Sequence, residues 1–413
     1  MRSAAAAGVG VSLLLGCFAA RAADPDPQAF AQIEKGRYLA VASDCVSCHT
    51  VPGSGTPFAG GRIIETPFGG IVAPNITPDR ETGIGAWSDA EFDAALRKGV
   101  RRDGALLYPA MPYNAYTKMS RHDVQAIRTY LATVTPVKKW VTAKSLPFPY
   151  KIRSAMHLWN ALYFTEGEYK PDPKQSGEWN RGAFLVEGPA HCGACHTPKT
   201  CLGGDKSSRY LQGAAIQGWF APSITSDSRV GLGGWSTEDF VGYMKSGHNR
   251  VTAATGPMGE AVSLSSSRLT NEDLTAISVY LKSVSGGESA PHPLRADNPV
   301  MQAGAAIYRD QCSACHGLEG RGIPQLFPSV ADSSMARSTD PTTSIRIVLR
   351  GARSVATAVE PTAPGMPSYG WQLSDDQVAA VLTYIRNTWG GSAAAVSPQA
   401  VRKARLELAR RSD

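Results

Sequence analysis

The chain of 413 residues carries 42 Lys and Arg against 35 Asp and Glu, a formal net charge of +7, and its length points to two to four domains. Basic residues are not interleaved with aromatics as on a nucleic-acid surface, which sets that class aside. Beyond the N-terminus no stretch nears about 18 continuous apolar residues, so no integral membrane span is expected.

Residues 1–22 read as an export signal. Arg2 supplies a short positive region and residues 4–15 a small apolar core, while Ala20-Arg21-Ala22 fits a cleavage site. Leu14-Leu15-Gly16-Cys17 offers a competing reading, a lipoprotein box with Cys17 lipidated. Either route exports the chain.

The first expected domain spans 23–135. A helix at 33–42, carrying Gly36 and Tyr38, leads into Cys45-Val46-Ser47-Cys48-His49. The pattern returns as Cys192-Gly193-Ala194-Cys195-His196 and as Cys312-Ser313-Ala314-Cys315-His316. These copies use six of the eight Cys, so the chain is not a disulfide scaffold. Residues three apart on a helical turn share a face. Each thiol pair can therefore form thioethers with the two vinyl groups of one haem, and the adjacent His can ligate iron on the proximal side. One copy alone could be a redox dithiol or half a zinc site. Three copies, each with a Met following in similar context, point to covalent c-type haem.

Further along this domain, Trp87 precedes a helix start at Ser88-x-x-Glu91, and a capping box at Ser120-x-x-Asp123 opens a closing helix with Val124, Ile127 and Leu131 on one face. Residues 136–178 form a connector with a helix at 156–164 containing Trp159. Its aromatic content predicts packing between domains, not a floppy linker. The second expected domain, 179–285, repeats the first: Cys45 and Met111 both fall on their counterparts, Cys192 and Met258, by a shift of 147. Its opening helix is expected at 180–187, its second helix after Trp235 at Ser236-x-x-Asp239, and its closing helix from Thr270-x-x-Asp273. A polar linker, 286–298, precedes a third and more divergent domain at 299–391, with helices at 301–310 and from Ser374-x-x-Gln377. Gly36, Gly182 and Gly304 are expected to let first and last helices cross closely. The basic tail, 392–413, reads equally as solvated or as a surface helix with Val401, Ala404 and Leu408 in a narrow stripe, attracted to anionic lipid.

A low-spin electron-transfer haem needs a sixth ligand, and Met thioether opposite His raises its potential. Met111 lies in Tyr108-Pro109-Ala110-Met111-Pro112-Tyr113, Met258 in Gly256-Pro257-Met258-Gly259, and Met366 in Pro364-Gly365-Met366-Pro367. Each is expected on a loop stiffened by Pro before the last helix. Met119 and Met335 are the competitors. The expected metal ligands are thus His49, Met111, His196, Met258, His316 and Met366, and the haem-attachment residues Cys45, Cys48, Cys192, Cys195, Cys312 and Cys315. Trp87 and Trp235 read as propionate donors or as simple packing, Arg346 or Arg350 as a propionate partner, and Cys201 as a free buried thiol or a redox group. His122, His157, His191, His248 and His292 have no consistent place in the repeat.

The pattern of opening and closing helices around each motif resembles class I cytochrome c domains, which implies a mainly α fold of three tandem domains, each around one covalent haem. Across the whole mature chain, the Tyr-Pro-Ala-Met-Pro-Tyr and Asn75-Ile76-Thr77-Pro78-Asp79 segments resemble the tri-haem cytochrome c subunits of bacterial membrane-bound dehydrogenases of the alcohol, gluconate, fructose and FAD-dependent glucose type. Similar subunits serve molybdenum hydroxylases acting on aldehydes or N-heterocycles. The resemblance implies a flavin- or quinone-cofactor dehydrogenase subunit as partner, ubiquinone as acceptor, and a place at the periplasmic face of the cytoplasmic membrane. It implies no catalytic residue in this chain. A haem peroxidase is the competing class of enzyme, but it needs an open distal position, whereas each repeat here supplies a Met. A free electron shuttle is usually one small domain.

Overall fold

The computed structural model describes residues 27–411 apart from 54, 143–145, 288 and 325. The export-signal and Cys17 readings lie outside the described residues. Helix dominates, and the named strands form three two-stranded antiparallel hairpins that the sequence did not announce.

The chain forms three lobes. The first holds α1 (Pro27–Ala42), α2 (Cys45–Cys48), the hairpin β1 (Ile63–Thr66) and β2 (Gly69–Val72), α3 (Asp89–Lys98), the single turn α4 (Tyr113–Tyr116) and α5 (Arg121–Leu131). The connector supplies α6 (Ala155–Tyr163). The second lobe holds α7 (Gly177–Glu187), α8 (Gly193–His196), the hairpin β3 (Ala214–Ile216) and β4 (Trp219–Ala221), α9 (Thr237–Ser246), α10 (Gly256–Leu264) and α11 (Asn271–Ser283). In the third, α12 (Pro299–Ile307) runs through a π-helical turn, Tyr308–Cys312, into α13 (Ser313–His316). There follow α14 (Ser334–Arg337), α15 (Thr342–Arg350), the hairpin β5 (Ala352–Arg353) and β6 (Gly365–Met366), and α16 (Asp375–Asn387). Helix α17 (Pro398–Ala409) comes last. In register, Ile63 faces Val72, Ala214 faces Ala221 and Ala352 faces Met366.

Each lobe is built on one crossing: α1 with α5, α7 with α11, α12 with α16. The glycine at each crossing is required by contact. A Cβ on Gly36 would stand 1.9 Å from the Ala126 carbonyl oxygen, one on Gly182 1.9 Å from that of Ala276, and one on Gly304 2.3 Å from that of Ala380. Such approach of two backbones leaves no room for a methyl group. The apolar stripes of the closing helices are buried as their spacing predicts, Val124, Ile127 and Leu131 in the first lobe and Leu274, Ile277 and Leu281 in the second; of the expected Val378, Val381 and Ile385 in the third, the two valines are buried and Ile385 is half-buried.

Caps fix where these helices begin. Ser88, Ser120, Ser236 and Ser374 form complete capping boxes, each serine hydroxyl accepting from the third residue on and receiving that residue's side chain at its own N–H. Thr270 makes half of one: it accepts from the Asp273 N–H. The Asp273 carboxylate is engaged elsewhere, by Arg181 at 2.7 Å through two nitrogens and by the Tyr38 hydroxyl at 2.5 Å. Tyr38 belongs to the first lobe, so this cluster ties α1 to α7 and α11.

The connector packs, as its aromatics predict. Trp159 is buried and donates its indole N–H to the Leu202 carbonyl at 3.0 Å, and the Tyr113 hydroxyl donates to Asn160 at 2.6 Å. The second linker is largely exposed and docks through the Leu294 N–H on Asn387.

The tail is not a solvated arm, and its apolar stripe faces the protein. Helix α17 lies on α15 and α16, with Val401 and Leu408 buried and Ala404 packed against the third core. The Arg405 guanidinium pairs with Asp375 at 2.9 Å and donates to the Leu373 carbonyl at 2.9 Å. The stripe is narrow because it fits a groove of this protein. Among the described residues no helix is long and apolar enough to cross a membrane.

Candidate haem-attachment sites

The three Cys-x-x-Cys-His stretches are held by one recurring cradle. Gly60, Gly213 and Gly322, all at positive φ, each donate a backbone N–H at 2.8 Å to the carbonyl of His49, His196 and His316 respectively. The ring of each His then meets a proline carbonyl: Nδ1 of His49 lies 2.7 Å from Pro74 O, that of His196 2.7 Å from Pro222 O, and that of His316 3.0 Å from Pro328 O. A carbonyl accepts, so Nδ1 carries the hydrogen and the lone pair is on Nε2. Burial holds all three imidazoles below their ordinary pKa, hence neutral near pH 7. A neutral imidazole with its tautomer fixed by a carbonyl is what an Nε2 iron ligand requires.

The thiols fit the same group. Burial pushes Cys45 and Cys192 up to about 12, Cys48 and Cys312 up to about 11, and Cys195 upward as well. A redox dithiol needs the thiolate favoured, which burial opposes at these five thiols. Among the described residues no cluster of three His, Cys, Asp or Glu side chains is set to hold a metal ion, so the half-zinc reading lacks its other half. Paired thiols beside an imidazole with Nε2 open are the donor set that could hold a covalent haem.

The methionines are placed less uniformly than expected. Met111 sits in a turn and packs on the first core together with Cys45 and Trp87. Met366 is in β6, on the third core beside Tyr369, whose hydroxyl donates at 2.8 Å to the carbonyl of Gln311, next to Cys312. Met258 is not on a loop: it lies in the first turn of α10. There Gly256, at φ +54, abuts Trp219, whose indole is 2.5 Å from where a Cβ would stand, and Pro257 starts the helix at once. The competitor Met119 is fully buried as core, and Met335 lies on α14.

Other candidates sort as follows. Trp87 and Trp235 are half-buried against the first and second cores. Arg346 is buried with its guanidinium 4.3 Å over Trp219, and Arg350 donates to the Leu408 and Arg411 carbonyls, so both are used in holding lobes and tail together. Cys201 is exposed, contrary to the expectation of burial, because it falls in a turn after α8. His191 precedes the second motif at φ 37, as Asp44 precedes the first at φ 50, and its ring packs 5.5 Å from that of Tyr116 in the first lobe.

Sequence reasoning missed the three prolines. Their signal was the shared triplet Pro74-Asn75-Ile76, Pro222-Ser223-Ile224 and Pro328-Ser329-Val330. It also missed a charged cluster between the first two motifs. Asp44 is pushed up to about 7 by burial, against the hydrogen bond from Ser47, with Glu260 raising it and Arg62 and Arg268 lowering it.

The cytochrome c family model matches residues 33–135 and 301–389. The chain is 39% identical over 405 residues to the gluconate 2-dehydrogenase cytochrome c subunit of Pantoea cypripedii, covering 93% of this chain and 92% of that one. It is 37% identical to the cytochrome c subunit of the quinone alcohol dehydrogenase of Gluconacetobacter polyoxogenes, over 92% of this chain and 85% of that one. It is also 40% identical to one subunit of the nicotinate dehydrogenase of Pseudomonas putida, over 86% of this chain but 30% of that protein.

Proposed function

Since the chain belongs to the cytochrome c subunits of bacterial dehydrogenases, as in its gluconate and alcohol dehydrogenase relatives, we propose that it carries electrons from a catalytic dehydrogenase partner to ubiquinone at the periplasmic face of the cytoplasmic membrane. It performs no substrate chemistry of its own. In this reading residues 23–135, 179–285 and 299–391 are three tandem class I cytochrome c domains. The observation that supports it most is the cradle repeated three times, with its His Nδ1 on a proline carbonyl and its His carbonyl on a glycine N–H.

Each residue then has a task. Cys45 and Cys48, Cys192 and Cys195, and Cys312 and Cys315 hold the porphyrin covalently. His49, His196 and His316 present Nε2 to iron, their rings held by Pro74, Pro222 and Pro328. Met111, Met258 and Met366 would supply the second protein ligand to each iron. Trp87 and Trp235, packed on the first two cores, would be the indole donors for a propionate. When bound, haem c supplies a one-electron couple whose potential is raised by His/Met ligation. Three such sites in one chain let a two-electron donor feed a carrier one electron at a time. The tie from Tyr38 to Asp273 and the stack of Arg346 on Trp219 keep the lobes in fixed relation.

The likeness to the nicotinate dehydrogenase relative favours a second reading, in which the partner is a molybdenum hydroxylase acting on an aldehyde or an N-heterocycle. One experiment decides between partners and tests the whole. The gene is deleted and membranes are assayed for substrate-dependent quinone reduction. One dehydrogenase should lose quinone coupling yet keep activity with an artificial dye, and its substrate names the partner. The proposal fails if no dehydrogenase loses coupling, or if the purified chain turns over peroxide.

A further inference from the structure

Met111 is flanked by Pro109 and Pro112, and Met366 by Pro364 and Pro367, but Met258 is followed by Gly259 and rides on α10. Something other than a proline-closed loop must set its position. We propose that Arg62, in the first lobe, is a positioning residue for Met258 in the second: it fixes the roll of α10 through Glu260 and locks that helix to the first haem-attachment helix. The proposal rests on the reading that Met258 ligates iron.

The geometry is a three-way joint. The Arg62 guanidinium donates through Nη1 and Nη2 to the two carboxylate oxygens of Glu260, the second of these at 2.8 Å, and Nη1 also donates to the Ser47 carbonyl at 2.5 Å. Ser47 lies within α2 between Cys45 and Cys48, and Glu260 lies on α10 two residues beyond Met258. A guanidinium is a rigid planar fork, so a bidentate grip fixes orientation as well as distance. Residues two apart on a helix lie roughly 200° round from one another. Holding Glu260 on one face therefore sets the angle at which Met258 leaves the other.

The other restraints on α10 are packing contacts, with α9, with the turn at 266–268 and with Val355. Gly256 abuts Trp219 at its start, and Val262 and Gly259 are buried along its length. Among the described contacts of this nine-residue helix, the Arg62–Glu260 grip is the directional one that reaches the first attachment helix. The pair is half-shielded, with side-chain exposures of 23% and 30%, so solvent screens it in part. The hydrogen bond to Glu260 holds the charge of this guanidinium against burial. Arg62 thus joins the first attachment site to the distal side of the second.

The test uses the full haem-loaded chain and three variants, Arg62→Gln, Glu260→Gln and, as reference, Met258→Ala. Ferric protein is titrated with imidazole, which enters a site when its Met leaves. The NMR methyl resonance of each iron-bound Met is followed in the ferrous protein, and the haem potentials are measured. Arg62→Gln should bind imidazole about tenfold more tightly at the site that Met258→Ala opens. It should weaken the Met258 resonance and shift that haem's potential, while the Met366 resonance stays. Glu260→Gln should do the same, and the double variant no more than either single one, since all three break one joint. If imidazole affinity and the Met258 resonance are unchanged in both single variants while Met258→Ala opens a site, the positioning role is wrong and the ligation stands. If Met258→Ala opens no site, the ligation of the second haem falls, and the positioning role with it.

Discussion

Replacing Gly36 by Ala presses directly on the crossing that closes the first lobe. The added Cβ would lie 1.9 Å from the Ala126 carbonyl oxygen and 2.4 Å from its carbon, where ordinary contact begins near 3.4 Å. The obstacle is backbone in the middle of α5, so no side chain can swing aside and α1 must retreat by more than an ångström. Overpacking of this kind costs about 1–3 kcal/mol and reaches the upper end when backbone must move. The alanine recovers at most ~1 kcal/mol in helix propensity. The net is a loss of about 2 kcal/mol, which for a domain near 100 residues lowers its transition by on the order of 10 °C. Gly242, in α9, is the control: no atom lies within 4 Å of its would-be Cβ, so Gly242→Ala should stabilise by about 0.5–1 kcal/mol. Calorimetry of the haem-loaded chain reads both. A Gly36→Ala protein as stable as the parent, or a Gly242→Ala protein that falls as far, would refute the argument from close approach.

Single replacement of Met111, Met258 or Met366 by Ala should leave all haem attached and make one haem of three high-spin, seen in the absorption spectrum. Met119→Ala should instead cost about 2–5 kcal/mol of stability without opening a coordination site, because that side chain is fully buried core; a high-spin haem there would reassign the first domain. Deleting residues 397–413 removes the buried Val401 and Leu408, each worth about 1.5–3 kcal/mol. The third lobe's melting transition should fall by more than about 10 °C, and an unchanged transition would show that α17 is not part of its core.

The crossed helices and their caps were legible because local chemistry dictates them. A serine or threonine three residues before an Asp, Glu or Gln, followed by apolar residues at helical spacing, marks a start, and Ser120, Thr270 and Ser374 all proved to be N-caps. Thr270 forms only half a box because Asp273 is drawn to Arg181 and Tyr38, and Tyr38 stands 235 residues away in sequence. Such non-local competition leaves no local trace. The hairpins went unseen because they are two to four residues long and carry no alternating pattern. The tail was misread since a narrow apolar stripe looks the same whether it meets lipid or a groove in its own protein. Met258 was put on a loop because Gly-Pro usually marks one, whereas here Pro257 occupies the first helical turn, where its missing N–H costs nothing.

The central claim is that this one chain holds three covalent haems at three equivalent cradles, and the intact mass of the exported protein under denaturing conditions tests it most directly. Thioether bonds survive denaturation, so the mass should equal that of the processed chain plus three haems, all staining with the polypeptide on a gel. A mass with one or two haems would contradict the equivalence of the cradles, and a mass with none would contradict the account as a whole.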